Sequence, residues 1–153
     1  MTATAHALTA AAIATKIPNP AIGLPLAFFS HFLLDKVPHW DPMYNHQNRK
    51  KVEVVGGSVA DVLLSYLLVF GIFVLYLHQK DPIYIMTATF FSELPDLLEI
   101  PYHLLGVKWP VFYQSYIFQH WIHDVGFNAR LRAPWGIITQ GVIVALFLFW
   151  SLH

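Results

Sequence analysis

The chain has 153 residues, enough for one domain, and its nine Lys and Arg residues balance its nine Asp and Glu residues. Hydrophobic residues make up 56% and charged residues only 12%, against roughly 25% charged in soluble domains. This composition argues against a soluble domain, the lack of a basic block argues against nucleic-acid binding, and the absence of Cys excludes disulfides and thiolate metal sites. It predicts an all-α integral membrane protein, with one transmembrane domain over residues 1–153.

The first two predicted helices begin the bundle. Residues 3–16 are rich in Ala and Thr, whose small side chains suit close helix packing, so this helix should lie among its neighbours. The second helix should run from about Ala21 to Val37, because Pro38 ends it. Residues 40–52 are the most polar stretch of the chain and predict a loop at the membrane surface.

Three more apolar helices and one amphipathic helix complete the prediction. The apolar helices should cover about Val52 to His78, Ile83 to Leu105, and Pro134 to Leu152. Residues 106–133 mix aromatic and polar side chains, which predicts a short helix at the membrane interface, where Trp and Tyr concentrate. We therefore expect a bundle of about five membrane helices plus one interfacial helix.

Basic residues gather on one predicted side of the membrane. If the second and fourth helices end on the same side, only Lys16 and Lys80 lie opposite. Because loops rich in Lys and Arg stay in the cytoplasm, we expect a protein of the prokaryotic inner membrane with a cytoplasmic N-terminus. The residues on the richer side are Lys36, Arg49, Lys50, Lys51, Lys108, Arg130 and Arg132.

The stretch Phe28–Asp41, FFSHFLLDKVPHWD, carries ionisable residues on an apolar helix. His31, Asp35 and His39 are four residues apart and therefore share one helix face. Ionisable groups inside a bilayer are costly and usually functional. An imidazole and a carboxylate one turn apart are also suitable ligands for a divalent metal, so this face is the first candidate site.

Other helices place ionisable residues at a similar depth. Counted at about 1.5 Å per residue from the cytoplasmic ends, these groups fall in one half of the bilayer on four helices. They predict a divalent metal site, with zinc as the first expectation and magnesium or manganese as alternatives. The predicted ligands are His6, His31, Asp35, Asp61, Glu93 and Asp96.

The surplus of carboxylates in this set predicts catalysis. A bound metal can activate water to attack an ester or phosphoester, and a spare carboxylate or imidazole can take the proton. The candidates for catalytic roles are Asp35, His39 and Glu93. A further group on one helix face either completes the site or lies at the interface. It consists of His120, His123 and Asp124.

The first 41 residues resemble a known family. A His in a small-residue helix, TAHALTA, followed by the run HFLLDKVPHWD, resembles small integral membrane proteins described as membrane-bound metal-dependent hydrolases. Those proteins are distantly similar to zinc-dependent phospholipases C. The resemblance implies a helical membrane fold, a metal site and ester or phosphoester hydrolysis. By position it selects His6, His31, Asp35, His39 and Asp41.

Together these patterns predict a metal-dependent hydrolase in the membrane that acts on a lipid-linked or amphiphilic ester or phosphoester at the cytoplasmic side. Two alternatives remain open. The buried carboxylates and imidazoles are also suited to proton- or ion-coupled transport, and they are suited to structural pairing in a non-catalytic membrane scaffold.

Overall fold

The structure, a computed structural model, describes residues 1–40, 50–125 and 131–153, with the backbone alone at residues 51 and 123–125. Within these ranges the fold is all-α, with six helices and no strand. The polar loop expected at residues 40–52 lies largely outside the described residues. The helices are α1 (Ala3–Lys16), α2 (Pro20–Asp35), α3 (Lys51–Val69), α4 (Pro82–Leu105), α5 (Pro110–Val125) and α6 (Trp135–Leu152).

Local sequence signals set the helix ends. The Thr2 side chain accepts a hydrogen bond from the amide of Ala5 and caps α1, and Asn19 and Asp81 cap α2 and α4 in the same way. Such side chains satisfy amide groups that have no partner inside the helix. Gly106 ends α4 in the left-handed conformation, with φ of 69°, which glycine adopts without steric cost.

The third predicted helix is continuous but changes its winding. After Val69 the chain continues as a π-helical segment, Phe70–Tyr76, so one rod covers most of the predicted range 52–78. Phe73 in this segment is completely buried. The wider winding therefore sits where a large aromatic side chain enters the core.

Helix α1 is the centre of the bundle. It packs against α2, α3, α4 and α6, and every residue from Ala5 to Ala14 is buried. Ala side chains let the surrounding helices approach closely. The expectation that this helix lies among its neighbours is confirmed.

Two helical rods in the described chain are long and apolar enough to cross a membrane. They are Val52–Tyr76 and Trp135–Leu152, and only 17% and 11% of their apolar windows are buried. The 16-residue α2 is apolar but shorter, and α1 is short and enclosed. The structure thus supports two candidate membrane spans where the sequence predicted five.

The bundle has two chemically different ends. The polar end contains the start of α1, the last turns of α2 and the second half of α4. The apolar end contains the end of α1, the start of α2 and the π-helical segment. At the apolar end the Tyr84 hydroxyl donates a hydrogen bond to the carbonyl of Ile17 at 2.8 Å, beside Gly23, where a Cβ would lie 1.7 Å from that hydroxyl.

Helix α6 is attached to the polar end by a close backbone approach. A Cβ on Gly136 would lie 2.2 Å from the backbone nitrogen of Trp40, so only glycine fits there. One turn later, Gln140 donates to the carbonyl of Trp40 at 2.7 Å and accepts from the amide of Thr2 at 3.0 Å. Gln140 therefore ties α6 to both the start of α1 and the segment that follows α2.

Candidate metal centre

The polar end is organised around the Asp35 carboxylate at the last residue of α2. The His6 Nε2 atom lies 3.1 Å from Asp35 Oδ1, and the His31 Nε2 atom lies 3.1 Å from Asp35 Oδ2. The amino group of Met1 also pairs with Asp35 Oδ1. The side chains of His6, His31 and Asp35, called the trio below, are all buried, and His31 is completely enclosed.

The sequence explains how this trio forms. His31 and Asp35 are one turn apart on α2 and share a face. His6 comes from α1, where small neighbours allow the two backbones to approach. The imidazole rings of His6 and His31 consequently stack, with centroids 4.0 Å apart and planes 19° from parallel.

The orientation of the His31 ring is set by a backbone contact. Its Nδ1 atom lies 2.7 Å from the carbonyl oxygen of Ser92 on α4, and because a carbonyl only accepts, Nδ1 is the donor. The Nε2 atom therefore faces Asp35 and also Asp96, whose Oδ1 lies 3.3 Å away. Metal-binding histidines typically have this arrangement, with one nitrogen on a carbonyl and the other on the ion.

The donor set of His6, His31 and Asp35 fits a metal ion. One ligand atom from each residue lies within 4.8 Å of the other two. The two 3.1 Å contacts reach different oxygens of Asp35, and imidazole nitrogen and carboxylate oxygen are both ligands that zinc accepts. The Nδ1 atom of His6 is buried without a hydrogen-bond partner in the described structure, so the ring is held by its Nε2 side.

Asp96 forms the open edge of this cluster. Its side chain is 47% exposed, whereas those of His31 and Asp35 are almost fully enclosed. The Gln119 amide on α5 donates to Asp96 Oδ1 at 3.2 Å. Gln119 was not predicted from the sequence, because only ionisable residues were considered as site residues. The one available sign was a polar amide within an aromatic-rich stretch.

Asp61 lies outside the trio and caps α1 from α3. Its carboxylate accepts hydrogen bonds from the amide of Ala3 at 2.8 Å and from the Thr4 hydroxyl at 2.7 Å. A carboxylate at a helix N-terminus is favourable because the unpaired amide groups carry partial positive charge. The predicted ligand is thus engaged with backbone and hydroxyl donors instead of with the imidazoles.

Glu93 also lies outside the trio, in a separate buried contact. Its Oε1 atom is 2.6 Å from the hydroxyl of Ser65 on α3, and that hydroxyl is 2.7 Å from the carbonyl of Val62. Both side chains are almost fully buried. The structure therefore pairs α3 with α4 through Glu93, and Ser65 is a partner that the sequence did not reveal.

The remaining predicted residues are spread around this end. The His39 ring is buried and its Nδ1 donates to the carbonyl of Val37 at 2.7 Å, while His120 is exposed and bonded to the carbonyl of Tyr116. Asp41 lies outside the described residues. The side chains of His123 and Asp124 also lie outside the described part.

Comparison with known proteins identifies no relative. No protein-family model, characterised protein or solved structure matches the chain. The resemblance of residues 1–41 to metal-dependent hydrolases therefore stays a prediction from the motif. The function has to be argued from the geometry of the polar end.

Proposed function

We propose that this chain is an integral membrane protein whose polar end faces the cytoplasm. The apolar surface of α3 and α6 supports the membrane assignment, because Leu63, Leu67, Leu146 and Phe149 are each more than 60% exposed. A lipid environment removes the cost of exposing such side chains to water. The helices α1, α2 and α4 would then lie within the bundle that these two rods border. The excess of Lys and Arg on the predicted side of the polar end supports the orientation.

We also propose that the polar end binds a divalent cation, with zinc the best match to its ligands. His6 and His31 would bind through Nε2 and Asp35 through its carboxylate, with Asp96 at the open edge. The convergence of two buried imidazoles on one buried carboxylate carries this proposal. Buried polar groups of this kind are costly unless they pair or bind a metal.

The reaction we propose is hydrolysis of an amphiphilic ester or phosphoester. A bound zinc ion would supply Lewis-acid activation of the ester and of a water molecule. Asp96 would bind the cation through Oδ1, the oxygen next to His31, and because its side chain is partly exposed, its second oxygen would accept a proton from water at the open edge. A substrate anchored in lipid would reach this edge with its acyl chains still in the bilayer.

Transport is the weaker alternative for the same residues. A transported ion needs polar groups that continue through the protein. The core between the polar end and the apolar end consists mainly of Ala, Leu, Ile, Val and Phe side chains with the ring of Tyr84, and polar side chains buried among them, such as Thr9 and Thr89, are uncharged. The imidazole and carboxylate side chains of the proposed site lie at one end of the described bundle, and this supports a site that opens to one side.

Zinc titration of the detergent-purified, metal-free protein tests this proposal. We expect one zinc ion per chain and zinc-dependent cleavage of a chromogenic phosphodiester or carboxylic ester. His31→Gln should abolish stoichiometric binding. His120→Gln is the matched control, because His120 is exposed and outside the trio, and it should bind zinc like the parent protein.

The two parts of the proposal have separate negative outcomes. A parent protein without stoichiometric zinc contradicts the metal site. Stoichiometric zinc without cleavage of either ester contradicts the hydrolase and leaves a metal-binding membrane protein.

A further inference from the structure

Gln119 is a buried amide on α5 that faces the open edge of the metal centre. It is only 2% exposed, whereas most residues around it on α5 are at least partly exposed. Its Nε2 atom donates to Asp96 Oδ1 at 3.2 Å, and the same oxygen lies 3.3 Å from His31 Nε2. One Asp96 oxygen is therefore held from two sides, by α2 and by α5.

The other end of this amide is unsatisfied. The Oε1 atom of Gln119 is buried and has no hydrogen-bond partner in the described structure. Turning the amide over would not help, because Oε1 would then face an Asp96 oxygen and two acceptors would oppose each other. The orientation of Gln119 is thus dictated by Asp96.

A buried carbonyl without a hydrogen-bond partner destabilises the fold, and the hydrogen bond to the Asp96 carboxylate stabilises it by a similar amount. The two nearly cancel, so Gln119 adds little to the stability of the fold. An apolar side chain of the same size would serve packing at least as well.

We propose that Gln119 is a positioning residue of the metal centre, which fixes the Asp96 carboxylate against His31 for cation binding. This inference rests on the metal site proposed above. Residues that orient a metal ligand usually contribute about 10–100-fold to metal affinity without contacting the ion. Gln119 holds the only partly exposed carboxylate of the cluster described here, so its contribution should appear in the dissociation constant for zinc.

The experiment compares Gln119→Met with the parent protein. Met has a similar length but no amide, and α5 also offers Gln114→Met as a control, because Gln114 is exposed. We expect Gln119→Met to weaken zinc binding about 10-fold or more and to leave the Tm of the metal-free protein within a few degrees of the parent value. Gln114→Met should change neither quantity.

A second comparison separates positioning from general packing. In an Asp96→Asn background the amide no longer has a carboxylate to orient, so adding Gln119→Met should weaken zinc binding less than twofold. An equal loss in both backgrounds overturns the inference, as does a lower Tm with unchanged zinc affinity in the single variant. A parent protein that binds no zinc overturns the proposed metal site together with this inference, whereas tight zinc binding by Gln119→Met overturns this inference alone.

Discussion

The two ends of the bundle are held together in different ways. At the polar end, helices meet through side-chain hydrogen bonds, such as those of Asp61 with the start of α1 and of Glu93 with Ser65. At the apolar end, the π-helical segment, α2 and α4 enclose α1 mainly through packed apolar side chains such as Phe73 and Ile85, with the hydrogen bond from Tyr84 to the carbonyl of Ile17 beside them. The central helix, α1, forms contacts at both ends of the bundle.

The two ends therefore have different structural roles. Hydrogen bonds are directional, so the polar end fixes the positions of individual atoms, as a metal site requires. Close packing of apolar side chains is sensitive to volume, so the apolar end fixes the distances between helices. Substitutions at the apolar end should therefore lower stability and leave the site geometry intact, whereas the effect of a polar-end substitution should depend on the hydrogen bond that it removes.

The largest loss of stability should follow from truncating a buried side chain at the apolar end. Phe73→Ala removes a completely buried ring and should lower the free energy of unfolding by about 3–5 kcal/mol, measured by denaturation in detergent. Zinc affinity of the remaining folded protein should stay within a few-fold of the parent value. Phe70→Ala, three residues earlier and 44% exposed, is the matched control with a much smaller expected loss of stability.

Substituting two threonines of α1 at the polar end should change the stability of the protein less. The Thr4 hydroxyl donates to Asp61 at 2.7 Å, so Thr4→Val should cost about 1.5–3 kcal/mol, the range for bonds to charged groups. The Thr9 hydroxyl is buried without a partner, so Thr9→Val should be neutral or stabilising. Thermal unfolding of both variants checks the pair, and an equal loss in both would contradict the hydrogen-bond assignment at Asp61.

Helix positions could be predicted from the sequence better than side-chain positions. Residues 3–16 were predicted with the observed ends. The helix predicted from about Ile83 to Leu105 begins one residue earlier, at Pro82, and ends as predicted, just before Gly106. The number of membrane spans was less predictable. Helices α1 and α2 are apolar but have only 14 and 16 residues, fewer than the roughly 20 that a membrane crossing needs, and α4 carries three acidic residues.

The candidate site was predicted in part for a similar reason. His31 and Asp35 lie on one helix, so their spacing alone places them together. The depth argument also selected Asp61 and Glu93, but depth along a helix does not say how the helix is rotated. In the structure these two carboxylates turn to Thr4 and Ser65, and the rotation depends on packing that one sequence does not reveal.

X-ray absorption spectroscopy of the zinc-loaded protein tests the central claim most directly, because it counts the atoms bound to the metal. We predict two imidazole nitrogens with carboxylate oxygen, at about 2.0–2.2 Å from zinc, and the loss of one imidazole in His6→Gln. A shell of oxygen atoms alone, or two imidazoles still present in His6→Gln, would contradict a metal centre built from His6, His31 and Asp35.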